Sequence, residues 1–242
     1  MSEVLRNADV DEGVELAADR GMPTPRRRRG SMADEVGAHL RDLILTGHVR
    51  PGERVDQQAL SDELHVSRSP IREALVVLAQ EGLVRLSPNR GAFVADITQA
   101  DIIEHYEVFG TISGRIASLA AEQLSDDDLV RLAETHRRFE SGNPVVMSRA
   151  NEEFHRIINS VATRRTRWLL ALLERSVPAD YYEFSGDLYE NAVDDHRAIL
   201  DALVARDPAS ARWAMETHLS NGGRAATEAL WRQGFWKDSS KA

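Results

Sequence analysis

The order of local patterns over residues 31–95 constrains the fold more than any other feature of this chain. Three short amphipathic helical patterns follow one another, with turn residues between them. The third pattern begins at Ser67, a residue type that can cap a helix, and ends at Gly82. Two short strand patterns, 83–86 and 92–95, then flank a hairpin tip rich in turn residues. Three helices followed by a hairpin predict a winged helix-turn-helix domain.

Beyond Thr98 the apolar residues follow the helical period throughout, and no strand pattern interrupts them. We therefore expect an antiparallel α-helical bundle in the second half of a mainly α chain. The predicted helices cover 101–124, 126 to about 141, 146–163, 166–176, 188–206 and 208–231. The predicted organisation is a disordered arm (1–29), a winged helix-turn-helix DNA-binding domain (30–96), a helical effector-binding domain (97–231) and a flexible tail (232–242).

Composition indicates the cellular compartment of the protein. No run of about 18 apolar residues occurs, so the sequence predicts no membrane span. The N-terminal residues are acidic and polar and lack an apolar signal region, so we do not expect export. Cysteine is absent, which excludes disulfides and thiolate chemistry and agrees with a reducing compartment. Together these features favour a cytoplasmic protein.

The formal net charge of −9 is unevenly distributed along the chain. Residues 30–95 contain 7 Arg against 9 Asp or Glu, whereas residues 97–231 contain 14 Arg against 22 Asp or Glu. A DNA-binding domain needs a local basic face rather than a basic chain, so the acidity of the second half does not exclude one. The basic run Arg26–Arg29 has two open interpretations, a solvated extension or an arm that touches phosphates.

The segment Val66–Leu75 predicts how such a domain would meet DNA. Arg68 and Arg72 are four residues apart at the start of the third helix, where a helix-turn-helix places its base-reading side chains. Arginine there can form two hydrogen bonds to guanine. Ser67 and Ser69 can donate to phosphates beside the helix N-terminus. Gly91 at the hairpin tip would let the backbone approach a groove.

The alternative interpretation makes both arginines ordinary surface residues that form ion pairs with Glu63 or Glu73. Two arginines on a helix would not by themselves exclude it. The turn spacing and the adjoining hairpin favour DNA contact instead, because they supply the context in which such arginines read bases.

Residues 32–95 contain five motifs in close succession. They are Leu-x-x-Leu-Ile-Leu-x-Gly (40–47), Pro-Gly-Glu-Arg (51–54), Val-Ser-Arg-Ser-Pro-Ile-Arg-Glu-Ala-Leu (66–75), Glu-Gly-Leu-Val (81–84) and Arg-Gly-Ala-Phe-Val (90–94). Together they resemble the GntR family of bacterial repressors. That resemblance implies that Arg68 and Arg72 are the base readers, with contributions from Ser67 and Gly91. Gln58 stands where some relatives carry a further DNA-contacting arginine.

Three histidines of the second half lie on three different predicted helices. Asn151 and His155 are one helical turn apart and share a face, and His196 and His218 follow on later helices. Helical bundles build metal sites from such side chains on facing helices, and imidazole suits zinc or nickel. Each histidine taken singly is more simply explained as a core or surface residue, so the residues alone leave both interpretations open.

Residues 100–231 also resemble the FCD ligand-binding domain of FadR-like regulators. The resemblance implies that His155, His196, His218 and a fourth residue hold a divalent metal, which helps to bind a small organic acid. The fourth ligand is usually Asp and is Asn151 here, a neutral and weaker donor. The arginine and glutamate that often stand on the first helix of the domain are replaced by Phe109 and Ser113. We therefore expected an effector that is less acidic, or one held mainly through the metal.

The resulting hypothesis is a regulator, and a repressor in preference to an activator. It would bind a double-stranded DNA operator as a homodimer, and its affinity for that operator would change when a carboxylate effector binds. One alternative is a metal-free sensor that uses the same pocket. The other is a metal-dependent enzyme. The N-terminal DNA-binding domain and the lack of a His-Glu-x-x-His motif argue against it.

Overall fold

The computed structural model describes residues 31–141, 143–177 and 189–236. The arm predicted for residues 1–29, with its run Arg26–Arg29, lies outside the described residues. In chain order the elements are α1 (Met32–Leu45), α2 (Gln57–Glu63), α3 (Arg68–Gln80), β1 (Val84–Ser87), β2 (Gly91–Val94), α4 (Gln99–Gln123), α5 (Asp126–Phe139), α6 (Pro144–Asn159), α7 (Arg164–Glu174), α8 (Tyr189–Val204) and α9 (Pro208–Arg232). The mainly helical fold class is confirmed.

The first domain is a winged helix-turn-helix. Helix α1 begins with a reciprocal pair of hydrogen bonds between Ser31 and Asp34, which satisfies two backbone N–H groups at the helix start. The strands β1 and β2 form an antiparallel hairpin in which Val84 pairs with Val94 and Ser87 with Gly91. Their buried side chains pack with those of α1 and α3 in one core, which includes Leu40, Ile44, Ile71 and Leu78. This core fixes the helices against the hairpin.

The caps that the sequence indicates are mostly present. Asp56 accepts hydrogen bonds from the backbone N–H groups of Gln58 and Ala59 and so begins α2 as expected. Ser67 is the N-cap residue of α3, but its side chain makes no capping hydrogen bond. Its hydroxyl is exposed to solvent, in a position where it remains available to another partner.

The second domain is a bundle built around the long pair α4 and α9. Close packing of this pair depends on glycines: a Cβ added to Gly223 would lie 2.7 Å from Cβ of Tyr106, and one added to Gly114 would lie 2.7 Å from Cγ of Glu216. Helices α5 to α8 pack around the pair, and their apolar faces form a core that contains Ile116, Leu132, Phe154, Ile199 and Met215. Among the described residues no helix is long and apolar enough to cross a membrane.

The C-terminal end of α9 packs back onto the first domain. Phe235 is buried. It also lies close to Gly47 of the first domain, because a Cβ added to Gly47 would be 3.3 Å from Cδ2 of Leu230 and 3.5 Å from a ring carbon of Phe235. Trp236 donates a hydrogen bond from its indole N–H to the carbonyl of Ile97 at 2.8 Å. The tail expected at 232–242 is therefore ordered over 232–236, because two aromatic side chains find an apolar surface at the domain junction. Residues 237–242 lie outside the described residues.

Candidate functional site

The three histidines singled out in the sequence come together inside the second domain. They approach from α6, α8 and α9, and each offers a ring nitrogen within 4.8 Å of the nitrogens of the other two. The ring centroids of His155 and His218 lie 5.3 Å apart, and those of His196 and His218 lie 4.7 Å apart. A tetrahedral zinc ion with bonds of about 2.1 Å holds its ligands about 3.4 Å apart. The ring nitrogens are thus at most about 1.4 Å farther apart than the ligands of such an ion.

His196 is the most enclosed member of the cluster. Its ring stacks on Phe154 with centroids 4.6 Å apart and an interplanar angle of 6°, and it also contacts Phe139 at 4.3 Å. Neither of its ring nitrogens has a hydrogen-bond partner among the described residues. Burial, together with the neighbouring imidazoles, holds the pKa of His196 well below its ordinary value. The ring is thus kept neutral and its nitrogen lone pair stays available to a metal.

His155 has a similar electrostatic setting. Burial and the adjacent His218 imidazole lower the pKa of His155 to about 3. Both effects disfavour the imidazolium form, since a charged ring would be desolvated and would face other rings that are positive when protonated. Neutral imidazole is the form that binds a divalent metal. The electrostatics of the cluster therefore match its proposed ligand role.

Asp195 is a member of the site that the sequence analysis missed. Its Oδ2 lies 3.7 Å from Nδ1 of His218, and both of its oxygens accept hydrogen bonds from the side-chain amide of Asn221. Burial would raise the pKa of Asp195, but the contacts with His218 and Asn221 outweigh it and the pKa is lowered. A carboxylate on the far nitrogen of a histidine is the usual outer partner of a metal-binding ring.

A cavity of about 700 Å³ opens onto the cluster. Asn151, His155 and His218 line it, which places the expected fourth ligand beside two of the histidines. Apolar side chains form part of the wall, as is usual for pockets that hold small organic ligands. These include Tyr106, Phe109, Leu170, Val177 and Leu219. The cavity is large enough for an organic acid of several carbons.

The charges around the cavity differ from the sequence expectation. Phe109 lines it where relatives carry an arginine, but Arg156 of α6 and Arg167 of α7 line other parts of the wall. Glu152 and Glu153 follow Asn151 by one and two residues, so helical geometry turns them about 100° and 200° away from it around the axis of α6. Glu153 pairs with Arg138 at 2.6 Å, whereas Glu152 lines the cavity. The part of α6 that lines the cavity therefore extends beyond the helix face shared by Asn151 and His155.

In the first domain, Arg68 and Arg72 are exposed at the N-terminal end of α3, together with Ser67 and Ser69. Arg68 donates a hydrogen bond from Nη2 to Oε1 of Gln58 on α2 at 2.6 Å. Gln58 therefore contacts Arg68 and adds no charge of its own to this surface. This contact lies across the turn between the two helices.

The alternative pairing of these arginines with neighbouring acids does not occur in the described part of the chain. Neither Arg68 nor Arg72 forms an ion pair there, and Glu63 lies 3.2 Å from His39. Gly91 has φ of +105°, which an L side chain rarely adopts, and a Cβ at this position would meet the Arg54 side chain at 3.3 Å. The glycine therefore allows Arg54 to lie against the wing.

Comparison with known proteins agrees with this division of the chain. The model of "Bacterial regulatory proteins, gntR family" matches residues 32–94, and the model of the FCD domain matches residues 104–221. The first match covers the winged helix-turn-helix. The second covers the helices that carry the three histidines.

Individual proteins of known sequence or structure give the same result. An HTH-type transcriptional regulator of Mycobacterium tuberculosis (strain CDC 1551 / Oshkosh) is 31% identical over 187 residues, which cover 75% of each chain. The Uxu operon transcriptional regulator of Escherichia coli K12 is 28% identical over 214 residues, which cover 77% of this chain and 83% of that one. The solved structure of E. coli McbR/YncC shares the fold with a TM-score of 0.61 and 22% identity, over 84% of this chain and 99% of that one.

Proposed function

This chain belongs to the GntR family of bacterial transcription regulators and carries an FCD domain, and from that premise we propose that it is a metabolite-controlled repressor. It binds an operator through its winged helix-turn-helix and binds a carboxylate effector in the second domain. The observation that supports this most directly is the cluster of His155, His196 and His218, whose ring nitrogens lie within 4.8 Å of one another beside a cavity of about 700 Å³.

On the DNA side, Arg68 and Arg72 contact base edges in the major groove. Ser67 and Ser69 donate to phosphates, and Gly91 keeps the wing close to the duplex. Gln58 holds Arg68 in the reading position through their 2.6 Å hydrogen bond. Each chain supplies one reading helix, so a specific operator with two half-sites requires a homodimer. This DNA-binding role places the protein in the cytoplasm.

On the effector side, the histidine cluster has the properties of a metal site. Both buried ring nitrogens of His196 lack hydrogen-bond partners among the described residues, which is costly unless a ligand satisfies one of them. His155, His196 and His218 would hold a divalent ion, zinc or nickel, with Asn151 as a fourth ligand. When bound, the ion supplies a Lewis-acid anchor for a carboxylate. Asp195 orients the ring of His218 from behind.

Arg167, which lines the same cavity as Phe109, provides a cation for the effector. It is exposed, lines the cavity, and makes no ion pair within the described ranges. An arginine of this kind can bind a carboxylate with two hydrogen bonds. We therefore replace the expectation of a weakly acidic effector with that of an acid bearing at least two polar ends, one at the histidines and one at Arg167.

The test is to purify the chain without a histidine tag and to measure its metal content and its melting temperature in zinc and in chelator. Metal that binds only the folded state raises the melting temperature by linkage. His155→Ala, His196→Ala and His218→Ala should each abolish that rise, whereas the matched variant His48→Ala in the first domain should keep it. If zinc and chelator give the same melting temperature and no metal co-purifies, the pocket acts as the metal-free sensor.

A duplex selected from random sequence with the wild-type protein serves as the operator probe. We expect Zn²⁺ with succinate, malate or citrate to change its affinity for the protein. Conversion of the acid to another product would instead support the metal-dependent enzyme. An operator affinity that no acid alters would contradict effector control.

A further inference from the structure

Helix α7 contacts the proposed effector pocket along one face. Arg167, Leu170 and Glu174, spaced three and four residues apart, all line the cavity, and Val177 just beyond the helix does so too. Leu170 is also part of the buried core of the second domain. A ligand that fills this cavity would therefore contact α7 between Arg167 and Glu174, and its binding would shift this helix or hold it in place.

The C-terminal end of the same helix reaches the first domain. Arg175, the C-cap residue of α7, places Nη1 3.2 Å from Oε1 of Glu81. Glu81 is the C-cap residue of α3, the helix whose opposite end carries Arg68 and Arg72. Helix α3 has 13 residues and spans about 20 Å at 1.5 Å per residue. One ion pair thus joins a pocket helix to the rear end of the DNA-reading helix.

Glu81 is firmly held on its own side of this contact. Arg41 of α1 donates to it from Nε at 2.9 Å and from Nη2 at 2.9 and 2.7 Å, in a bidentate arrangement. Glu81 is only 17% exposed, whereas the Arg175 side chain is 53% exposed. The Arg41–Glu81 pair therefore moves with the first domain as a unit. The Arg175 side of the contact is weak enough to break and form again, as exposed ion pairs are.

The surroundings of this contact leave room for movement. A cavity of about 340 Å³ lies at the junction of the two domains, and its wall includes Glu81, His105 and Ser176. His105 of α4 donates a hydrogen bond to the carbonyl of Leu173, which ties α7 to the first helix of its own domain. Movement of α7 would therefore displace side chains at the domain junction, where the cavity leaves space for them.

We propose that the Arg175–Glu81 ion pair couples effector binding to the orientation of the DNA-reading helix. The inference rests on the proposed effector role of the pocket and names its regulatory contact. A ligand that engages α7 shifts the end of this helix, and the shift alters or breaks the contact at Glu81. The reading helix then turns with the Arg41–Glu81 unit.

The experiment compares wild type with Arg175→Gln and with a matched control, Arg164→Gln, at the opposite end of α7. The probes are Zn²⁺ with succinate, malate or citrate, and the operator is the duplex selected with wild type. Probe binding to the free protein is followed by calorimetry, and operator affinity is measured with and without probe. Typical allosteric coupling changes affinity about 5- to 150-fold. We expect Arg175→Gln to bind the probe as wild type does, while its operator affinity responds less than about twofold.

The other outcomes separate the two hypotheses. If no probe binds wild type or changes its operator affinity, the proposed effector function fails and the coupling fails with it. If wild type responds and Arg175→Gln responds equally, the ion pair is a static surface contact and the coupling inference alone is overturned. If Arg175→Gln loses probe binding itself, Arg175 acts on the pocket and the inference is again overturned. Arg164→Gln must behave as wild type for the assignment to Arg175 to hold.

Discussion

Nδ1 of His218 on α9 lies 3.7 Å from Oδ2 of Asp195 on α8. Asp195 is the residue directly before His196, so adjacent positions of α8 supply one proposed metal ligand and the carboxylate that faces a second proposed ligand. Asn221, less than one turn after His218, donates to both oxygens of the same carboxylate at 3.1 and 3.0 Å. Asp195 and Asn221 thus form a hydrogen-bonded pair across the two helices, and the carboxylate of that pair faces the His218 ring.

This relationship predicts that Asp195→Asn weakens metal binding without removing it. Loss of such an outer partner typically lowers metal affinity about 10- to 100-fold. Competition for zinc with a fluorescent chelator measures the change. Asp194→Asn is the matched control, since that side chain is exposed and adjacent in sequence. Equal zinc affinity in both variants would show that Asp195 does not orient His218.

Asn151 gives the opposite prediction. Asn151→Asp should tighten zinc binding several-fold, because a carboxylate is a charged and stronger donor than an amide oxygen. Asn151→Ala should weaken binding, but less than substitution of any of the three histidines. The same chelator competition checks both variants. An Asp variant that binds zinc no better than wild type would place residue 151 outside the coordination sphere.

The reading helix predicts a loss of operator affinity on substitution. Arg68→Ala and Arg72→Ala should each weaken binding to the selected operator by about 1–3 kcal/mol, the usual value of a bidentate base contact. Gln58→Ala should cost less, because it removes the hydrogen bond from Arg68 to Gln58 but leaves the Arg68 guanidinium in place. Titrations in fixed salt, with Arg115→Ala as an exposed control in the second domain, provide the measurement. Unchanged affinity in both arginine variants would contradict the assignment.

The packing of α4 against α9 predicts the effect of Gly223→Ala. The added Cβ would lie 2.7 Å from Cβ and 2.9 Å from Cγ of Tyr106, so the two helices must separate. Overpacking of this kind typically lowers the free energy of unfolding by about 1–3 kcal/mol. Urea unfolding of the chain in chelator checks it. Ser220→Ala on the same helix should change stability by less than about 0.5 kcal/mol.

His105 predicts part of the acid sensitivity of the second domain. Burial lowers the pKa of His105, although its hydrogen bond to Leu173 opposes the shift. Unfolded histidine titrates near 6.5, so the unfolded state binds the proton first as pH falls. The stabilisation from a neutral His105 is therefore complete above about pH 6.5 and is lost as the pH drops below it.

Unfolding free energies at pH 7.5 and 5.5, measured in chelator, test this prediction. His105→Gln keeps a donor for the Leu173 carbonyl but cannot be protonated. We expect the variant to lose less stability than wild type between the two pH values. Identical losses would mean that His105 titrates in the folded state as it does in the unfolded chain.

By itself the sequence determined the features that depend on neighbours a few residues apart. Helical and strand periods, together with turn residues, predicted the three helices and the hairpin, because such patterns act over one or two turns. The cap at Asp56 and the exposed position of Arg68 and Arg72 follow from the same local rules. The histidines were identified as candidates from their residue type and their separate helices, with support from the resemblance to the FCD domain.

Only the tertiary structure decided which distant side chains meet. Asp195 lies beside His218, and Arg167 and Phe109 line one cavity, because helices far apart in the chain pack side by side. The Arg175–Glu81 pair joins residues 94 positions apart. No local period encodes such contacts, since they depend on how whole helices are oriented when their apolar faces are buried together.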